Sequence, residues 1–382
     1  MRILVATRIY APEAGAAAYR LAATVRALRR AGHDVEVLTT RVPGTPGSAD
    51  GISRWPVLRD RSGAVRGYVQ YASFDIPLIF RLLARRRFDA VLVEPPPTTG
   101  AAVALACALR RRPYIYFAAD VTSNAAAGIG VHPLVVAVLR AAEKRILARA
   151  AAVLSISAGV SAAVRELTAG RARVAEVGTG IDTGTFSRSG PAAPAGPVFV
   201  YAGTMSEIQG AGVFVDAFLQ IMHRVPQARL QMYGQGVELP ALRRRAAAAG
   251  DRIRFMGVAG GAEIARVLRG AAAGLASVRP GRGYDFAFAT KALVSLSCGT
   301  PVIYAGVGPL RTLVAEHGLG HSVDWDAGQV AEAMLAVLRQ PAGEAERERL
   351  AQWVQANYSL DSVGSRAAAA IGSAAGQAPP AG

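Results

Sequence analysis

The chain has 382 residues, of which 52% are hydrophobic, and a formal net charge of +16. This length is too great for one ordinary core and suits two domains of roughly 150–200 residues each. No segment reaches the ~18 uninterrupted apolar residues of a membrane-spanning helix, so we expect a globular protein that is not integral to a bilayer.

The positive charge is concentrated in the first half of the chain. Residues 1–190 hold 26 Arg and Lys against 13 Asp and Glu, and 41 of the 43 basic residues are Arg. Dense clusters lie at Arg85–Arg87, Arg110–Arg112 and Arg140–Arg149. Such a surface attracts phosphate or anionic lipid. An arginine-rich surface that serves only solvation has the same pattern, and both interpretations stay open.

The N-terminal sequence, the cysteines and the histidines bear on compartment and cofactors. The first apolar run is interrupted by Arg8, so it predicts a first strand and not a secretory signal. Cys107 and Cys298 are far apart in apolar surroundings, which predicts neither a disulfide framework nor a cysteine metal site. The five histidines form no H-E-x-x-H or Cys/His pattern. We therefore expect a cytoplasmic protein without a metal or another cofactor.

The first half alternates short β-branched runs with amphipathic stretches, which is typical of a parallel sheet covered by helices. Apolar residues recur at helical spacing from Leu21 to Leu28, and Gly32 follows as a helix stop. Pro133 predicts the first turn of a helix that continues to Arg149. The predicted strands are Ile3–Ala6, Val35–Leu38, Ala90–Val93, Tyr114–Phe117 and Val153–Ser155.

Residues 187–197 have three prolines and no periodicity, so they predict a linker between domains 1–186 and 198–357. The strand-helix pattern then restarts, with strands predicted at Val198–Tyr201, Leu230–Tyr233, Ile253–Met256, Gly274–Ser277 and Pro301–Tyr304. We expect residues 358–372 to form a helix that packs back on the first domain, and residues 373–382 to be disordered. The predicted fold class is α/β, with two Rossmann-like doubly wound domains that face a central ligand cleft.

The loop after the first strand is a candidate ligand site. Gly15 lies among small residues just before a predicted helix, where free backbone N–H groups suit a phosphate or a sugar. An ordinary strand-to-helix turn is the alternative. The loop lacks G-x-G-x-x-G, which disfavours a nicotinamide or flavin enzyme.

Polar residues also follow two other strands. Gly203 and Thr204, with Ser206 and Gln209 shortly after them, offer a backbone amide and several side-chain donors at a strand end. Asp120 is a carboxylate at the end of the fourth predicted strand, where strand ends meet a cleft. A helix cap or turn is the alternative for Asp120.

The segment Arg279–Lys291 is the strongest local pattern. Its glycine-rich loop delivers Thr290 and Lys291 to a helix start, where the dipole and free N–H groups favour a diphosphate. Lys144 and Lys291 are the only lysines in the chain. A compact ammonium there fits a phosphate contact, although a single retained lysine also occurs by chance.

Taken together, these segments resemble glycosyltransferase family 4, of the GT-B fold, from Arg2 to about Ala370. The matching pieces, in order, are YAPEAG, VLSISAGVSAAV, VGTGIDTGTF, VYAGTMSEIQG, MYGQGVELPALRRRAA with RIRFMG, and TKALVSLSCGTPVI. The resemblance implies a retaining, metal-independent transfer of a sugar from a nucleotide-diphospho-sugar to an acceptor hydroxyl. The acceptor would be a lipid-linked glycan or a natural product, and the relatives that look most similar assemble surface polysaccharides or glycolipids.

The resemblance also implies roles for individual residues. Gly15 would face the donor phosphate or the transferred sugar, Asp120 the sugar or the acceptor, and the backbone near Met256 the base. The implied catalytic residues are Lys291, Asp120 and Gly15; the donor-binding residues are Gly203, Thr204, Ser206, Gln209, Met256, Gly257, Arg279, Arg282, Thr290, Lys291 and Val294; the acceptor-binding residues are Tyr10, Glu13 and Asn124.

The charges at the donor site depart from the family pattern. The basic pair that many relatives have after the first strand of the second domain falls here at Thr204 and Gln209. Lys291 would then be the main fixed charge for the diphosphate, with Arg279 and Arg282 as helpers.

A pair of Glu residues eight positions apart, common in relatives, falls here at Phe286 and Val294. Val294 cannot accept hydrogen bonds from ribose hydroxyls, which predicts relative tolerance of a 2′-deoxyribose and hence of dTDP-sugars. The alternative is that the hydroxyls face water or that Asp285 reaches them.

Sugar transfer has three alternatives. A sugar-nucleotide epimerase shares the fold, since fold alone does not fix a reaction. The missing carboxylates and basic pair also allow a catalytically silent protein that binds sugars or nucleotides. The charge excess has no nucleic-acid-binding motif, which disfavours a nucleic-acid partner. A lipid-linked acceptor would favour peripheral contact with the cytoplasmic face of an anionic membrane.

Overall fold

The computed structural model describes residues 1–13, 16–44, 48–49, 51–60, 65, 67–123, 132–282, 284–285 and 287–376. The chain divides into two units. The first is Met1–Gly180 together with the C-terminal helix Leu360–Gly376, and the second is Ile181–Ser359. Each unit has one sheet of mainly parallel strands with helices on both faces, which confirms the predicted α/β class.

The sheet of the first unit contains all five predicted strands, each confirmed to within two residues. Its strands are β1 (Arg2–Ala6), β2 (Asp34–Thr40), β3 (Ser48–Ala49), β4 (Ile52–Trp55), β5 (Ala90–Val93), β6 (Tyr114–Ala118), β7 (Ala152–Ser155) and β8 (Val174–Glu176). Their order is β3-β4-β2-β1-β5-β6-β7-β8, and only β3 is antiparallel to its neighbour. Strand β4 was not predicted, because Ile52–Trp55 is a partly exposed strand near the sheet edge without an apolar run.

The sheet of the second unit consists of six parallel strands. They are β9 (Val198–Ala202), β10 (Arg229–Tyr233), β11 (Ile253–Gly257), β12 (Ala273–Val278), β13 (Val302–Gly306) and β14 (Gly320–Val323). The order is β11-β10-β9-β12-β13-β14, so the direction of strand addition reverses between β9 and β12. In doubly wound sheets a ligand binds outside the carboxyl ends of the strands near such a reversal.

Thirteen α-helices cover the sheets in the described part of the chain. They are α1 (Ala16–Arg30), α2 (Tyr68–Ala84), α3 (Pro97–Arg110), α4 (Pro133–Arg149), α5 (Ala158–Thr168), α6 (Gly212–Ile221), α7 (Leu239–Arg245), α8 (Gly261–Gly270), α9 (Lys291–Ser297), α10 (Pro309–Glu316), α11 (Ala327–Arg339), α12 (Glu344–Tyr358) and α13 (Leu360–Gly376). Helix α4 has the predicted bounds, and a 3-10 turn at Ala247–Arg252 precedes β11.

The first sheet is buried on both faces because successive side chains of a strand point to opposite sides. Ile3 and Val5 of β1 pack on the side covered by α1 and α13. Leu4 and Ala6 pack on the side covered by α2, α3, α4 and α5. Helices α1 and α13 therefore lie on the opposite face of the sheet from α2 to α5.

Two predicted boundaries differ from the structure. The division between units falls at Ile181, and residues 187–197 pack on α8 of the second unit: Arg269 donates hydrogen bonds to the carbonyls of Ser187 (2.7 Å) and Pro191 (2.8 Å). The three prolines have no backbone N–H group and disfavour helix and sheet. The sequence of this segment therefore looks like a linker although the segment packs on the second unit. Residues Ser373–Gly376, predicted to be disordered, form the last turn of α13, and residues 377–382 lie outside the described part.

Candidate functional site

A pocket of about 410 Å³ lies in the second unit at the carboxyl ends of β9, β10 and β11. Gly203 and Thr204 line it after β9, Gly234 after β10, and Lys291 and Val294 from α9. Side chains from the first turns of α8 and α9 are close to it because both helices cover this face of the sheet. This is the position at which a doubly wound sheet binds its ligand.

Glycines make the floor of the pocket a layer of closely packed backbone. Gly234 has φ +123°, and a Cβ there would lie 2.0 Å from the carbonyl oxygen of Gly203. The Gly203 N–H donates to the Tyr233 carbonyl (3.0 Å), and the Gly234 N–H donates to the Gly257 carbonyl (2.7 Å). A side chain at Gly234 would push the strand ends apart, so the shape of the pocket depends on glycine at this position.

Lys291 is a partly buried cation at the edge of the pocket. Its Nζ donates a hydrogen bond to Gln209 Oε1 and lies 5.2 Å from the ring centroid of Tyr201. Burial lowers the pKa of Lys291 to about 8, because the ammonium loses hydration and no carboxylate of the described residues pairs with it. An unpaired cation in a partly desolvated pocket stabilises an anion that binds beside it.

The Lys291 side chain packs against Gly203, where the absence of a Cβ leaves room for it. A Cβ at Gly203 would lie 2.6 Å from Lys291 Cε. The structure therefore brings together three of the predicted donor-binding residues, Gly203, Gln209 and Lys291. The contact between Gln209 and Lys291 joins segments 82 positions apart in the sequence.

The other polar candidates near β9 and α9 use their backbone groups locally. Thr204 is exposed, and its carbonyl accepts a hydrogen bond from the Tyr201 hydroxyl (2.7 Å). The Ser206 carbonyl accepts from the Gly210 N–H (2.9 Å). Thr290 precedes α9 and is exposed, and its side chain makes no capping hydrogen bond. The hydroxyls of Thr204 and Thr290 thus remain accessible to a ligand.

Arg279 and Arg282 lie on the loop after β12. The Arg279 guanidinium is 4.6 Å from the ring centroid of Trp325, a residue that sequence reasoning missed because it lies far away in sequence, after β14. Arg282 forms an exposed ion pair with Glu207 (3.8 Å). Solvent screens such exposed pairs, so Arg282 can exchange this partner for a phosphate at little cost.

The residues expected to contact the base end β11. Gly257 accepts the hydrogen bond from Gly234, and the Met256 side chain is half-exposed. Neither lines the pocket, whereas the next two residues, Val258 and Ala259, do.

In the first unit, Asp120 follows β6 as predicted. Its side chain is exposed, and its Oδ1 lies 3.5 Å from the Thr122 hydroxyl. Gly15 and Asn124, predicted to contact substrates, and Phe286 of the second unit lie outside the described residues.

The two remaining acceptor candidates are engaged within the first unit. Tyr10 is 7% exposed and packs in the core with residues of α1. Glu13 forms an ion pair with Arg59 (2.8 Å). The Glu13 carboxylate is therefore paired with a cation of the same unit, and the Tyr10 side chain belongs to the core.

A buried ion pair at the end of β5 was missed by the sequence prediction. Arg20 of α1 donates a hydrogen bond to Glu94 Oε1, and both side chains are buried. Burial raises the pKa of Glu94, and the Arg20 charge opposes that rise. The available signal was a charged residue directly after an all-apolar strand.

No group of three His, Cys, Asp or Glu side chains in the described part of the chain is arranged to hold a metal ion. No helix among these residues has the length and apolar character needed to span a bilayer.

Comparison with known proteins identifies the family. A model described as "Glycosyl transferase 4-like domain" matches residues 15–180, and one described as "Glycosyl transferases group 1" matches residues 196–340. The chain belongs to glycosyltransferase family 4. The matches cover both units, and the second includes the pocket around Lys291.

Individual relatives of this glycosyltransferase agree with the assignment. The chain is 31% identical over 189 residues to one such relative, a D-inositol 3-phosphate glycosyltransferase of Frankia alni. That match covers 44% of this chain and 45% of the relative, so it spans less than half of the relative's length.

Solved structures confirm the GT-B fold. Sucrose-phosphate synthase of Thermosynechococcus elongatus has a TM-score of 0.71 at 18% identity, over 97% of both chains. The Anabaena protein HepE, solved in complex with UDP, has a TM-score of 0.66 at 16% identity, over 98% of this chain and 100% of that one.

Proposed function

We propose that this glycosyltransferase transfers a sugar, with retention of configuration, from a nucleotide-diphospho-sugar to an acceptor hydroxyl. The observation that carries the proposal is Lys291, a partly buried ammonium without a carboxylate partner among the described residues, at the edge of a pocket at strand ends. The solved complexes of HepE with UDP and with UDP-glucose support a nucleotide-sugar donor.

The proposed chemistry follows from where charge develops. When the bond between the sugar and the diphosphate breaks, negative charge accumulates on the leaving diphosphate. A preorganised cation with little hydration stabilises this charge more than it stabilises the ground state, which lowers the barrier. Gln209 holds the ammonium in place, and Gly203 allows the lysine to lie against the strand end.

The proposal assigns the positive charge to the protein and no metal to the reaction. Arg279 and Arg282, with the hydroxyls of Thr204 and Thr290, would add contacts to the phosphates. Val294 lines the pocket one turn into α9, and we assign it to the ribose side.

The acceptor is proposed to be a lipid-linked glycan or a natural product, reached at the cytoplasmic face of a membrane in the first case. Asp120 would contact the transferred sugar or the acceptor, since it lies exposed after β6. The name of the Frankia relative, which includes an inositol phosphate, supports a hydroxyl-bearing acceptor.

The test is incubation of the full chain with UDP-, dTDP- and GDP-sugars, with and without lipid-linked or soluble acceptors, and NMR of the products. The proposal expects release of the nucleoside diphosphate that depends on the acceptor, and a glycoside with the donor's anomeric configuration. Epimerised donor without an acceptor, or an inverted glycoside, would contradict it. Nucleotide binding without turnover on any acceptor would instead indicate a silent binding protein.

A further inference from the structure

The outer sides of α2, α3 and α4 are apolar where a surface helix normally has polar residues. On α2 the outward residues Val69, Ile76 and Phe80 are all exposed, Phe80 by 67%. They share one side of the helix, because spacings of seven and eleven residues complete about two and three turns. Half of the exposed large hydrophobic side chains of the described residues belong to these three helices.

The apolar side chains of the three helices form one continuous surface. Three adjoining hollows lie over α2, α3 and α4, and Ala101 lines all of them. Leu105 is shared by two of the hollows and Tyr68 by another two. We call this surface the apolar face and define it by Val69, Ile76, Phe80, Leu105, Leu134 and Val138.

An arginine-lined groove continues the apolar face. The hollow between α3 and α4 has a volume of about 830 Å³, and Leu105, Arg145, Arg149 and Arg173 are among the residues that line it. Arg145 and Arg149 follow Val138 by seven and eleven residues, so α4 shows apolar residues and then arginines along one stripe. No carboxylate of the described residues forms a salt bridge with these three arginines.

We propose that the apolar face and the arginine groove dock the first unit on an anionic lipid bilayer. Exposed aliphatic and aromatic side chains enter the boundary between headgroups and acyl chains, while arginines remain at the level of the lipid phosphates. Each Arg near an anionic surface strengthens binding about fivefold, so Arg145 and Arg149 together account for roughly twenty-fivefold.

Charge argues against a second copy of the chain as the occupant. A twofold interface would bury the arginine grooves of both subunits in one contact, and the residues that line the groove include no carboxylate that could pair with them. A bilayer instead supplies phosphates to the arginines and an apolar interior to Phe80 and its neighbours. The docking surface lies outside the donor pocket, and the proposal does not rest on sugar transfer.

The first test is flotation of the full chain with phosphatidylcholine vesicles, with and without 30% phosphatidylglycerol. We expect tight binding only to the anionic vesicles. Ile76→Ser/Phe80→Ser/Val138→Ser and Arg145→Ala/Arg149→Ala should each weaken it more than tenfold. Arg26→Ala/Arg30→Ala, on the other face of the sheet, is matched to the arginine variant in charge and should change binding less than twofold.

The outcomes of this test separate the alternatives. Equal binding to neutral and anionic vesicles, or a loss in the control as large as in Arg145→Ala/Arg149→Ala, would overturn the proposal. A concentration-dependent dimer that Ile76→Ser/Phe80→Ser/Val138→Ser abolishes, without vesicle binding by the wild type, would assign the face to a second copy. Circular dichroism and thermal unfolding of every variant establish that the fold is intact.

A second measurement locates the face directly. Cys107 and Cys298 are 1% and 2% exposed, so a thiol-reactive fluorophore will label an introduced cysteine. On Phe80→Cys the emission should shift to shorter wavelength with anionic vesicles and be quenched by brominated acyl chains. On Arg26→Cys, exposed on α1 on the other side of the sheet, it should not. The same shift at both positions, or at neither, would overturn the assignment.

Discussion

The two units present positive charge in opposite ways. In the second unit a single lysine is partly buried, and burial lowers its pKa to about 8. In the first unit several exposed arginines surround a groove of about 830 Å³. A desolvated charge interacts strongly with one well-placed anion, whereas exposed charges interact weakly and are screened by salt. The comparison predicts a specific anion site in the second unit and a diffuse, salt-sensitive one in the first.

The largest expected effect is that of removing the buried cation. Lys291→Ala should lower turnover on the order of 10²–10³-fold, because it removes a charge that stabilises the leaving diphosphate. Lys291→Arg should restore only part of it, since guanidinium and ammonium differ in shape and reach. Lys144→Ala, the only other lysine, is the control for steady-state kinetics with a soluble acceptor. Turnover within threefold of the wild type in Lys291→Ala would refute the assignment.

The next largest effect is a difference in salt dependence between the anion sites of the two units. Raising NaCl from 50 to 300 mM should weaken binding to anionic vesicles more than tenfold, because the Debye length falls to less than ~8 Å. Binding of a nucleoside diphosphate at Lys291 should weaken far less, because that cation is partly buried. Parallel flotation and calorimetric titrations measure both, and equal salt slopes would erase the distinction.

A change of pH should have the opposite pattern: it should weaken binding at the second unit and leave binding at the first unchanged. The Lys291 pKa of about 8 is lowered by burial, so the free ammonium becomes neutral above that pH. Binding of a diphosphate favours the charged form, so affinity should be about twofold lower at pH 8, where half of the free lysine is neutral. Above pH 8 it should fall by up to about tenfold per pH unit, until the pKa of the complex is reached. Arginine stays charged throughout, so vesicle binding should not change. Calorimetric affinities from pH 7 to 9.5 that do not fall would contradict this.

A smaller effect is expected from crowding the lysine. Gly203→Ala would place a Cβ 2.6 Å from Lys291 Cε, so the flexible lysine must move away from the strand end. Nucleoside diphosphate affinity should fall several-fold while the fold is retained. Gly343→Ala is the control, because a Cβ there meets nothing within 4 Å. Calorimetry that finds the two variants alike would show that the lysine position is unimportant.

The smallest effect concerns the ribose. Val294 lines the pocket and cannot accept a hydrogen bond, so a ribose 2′-hydroxyl beside it would stay unsatisfied. We expect dTDP to bind at least as well as UDP or GDP, and Val294→Glu to gain affinity for UDP. Ribonucleotides that bind more than tenfold tighter than dTDP, which is ~1.4 kcal/mol, would refute this prediction.

Local patterns in the sequence predicted the repeating elements well. The strand Ala90–Val93 and the helix Pro133–Arg149 were predicted with their observed bounds, because apolar runs and a first-turn proline are local signals. The glycine-rich loop before Lys291 was also enough to predict this lysine as a candidate phosphate contact. Its contact with Gln209 joins distant segments that only the strand order brings together.

The features that the sequence did not predict depend on which side of each helix is buried in the folded protein. The apolar residues of α2 and α4 have the spacing of a packed helix, and sequence does not show which side faces the core. Glu94 and Arg20 belong to different elements and pair only because α1 covers the end of β5.

The most direct test of the central claim is the pKa of Lys291 itself, with and without a nucleoside diphosphate. Because the chain has only two lysines, ¹³Cε-labelled lysine gives two signals, and Lys144→Arg removes the second one. We predict that Lys291 titrates at about 8 in the free protein and shifts upward by at least one unit when UDP or dTDP saturates the pocket. A pKa that neither nucleotide changes at saturation would contradict the claim that Lys291 binds the diphosphate.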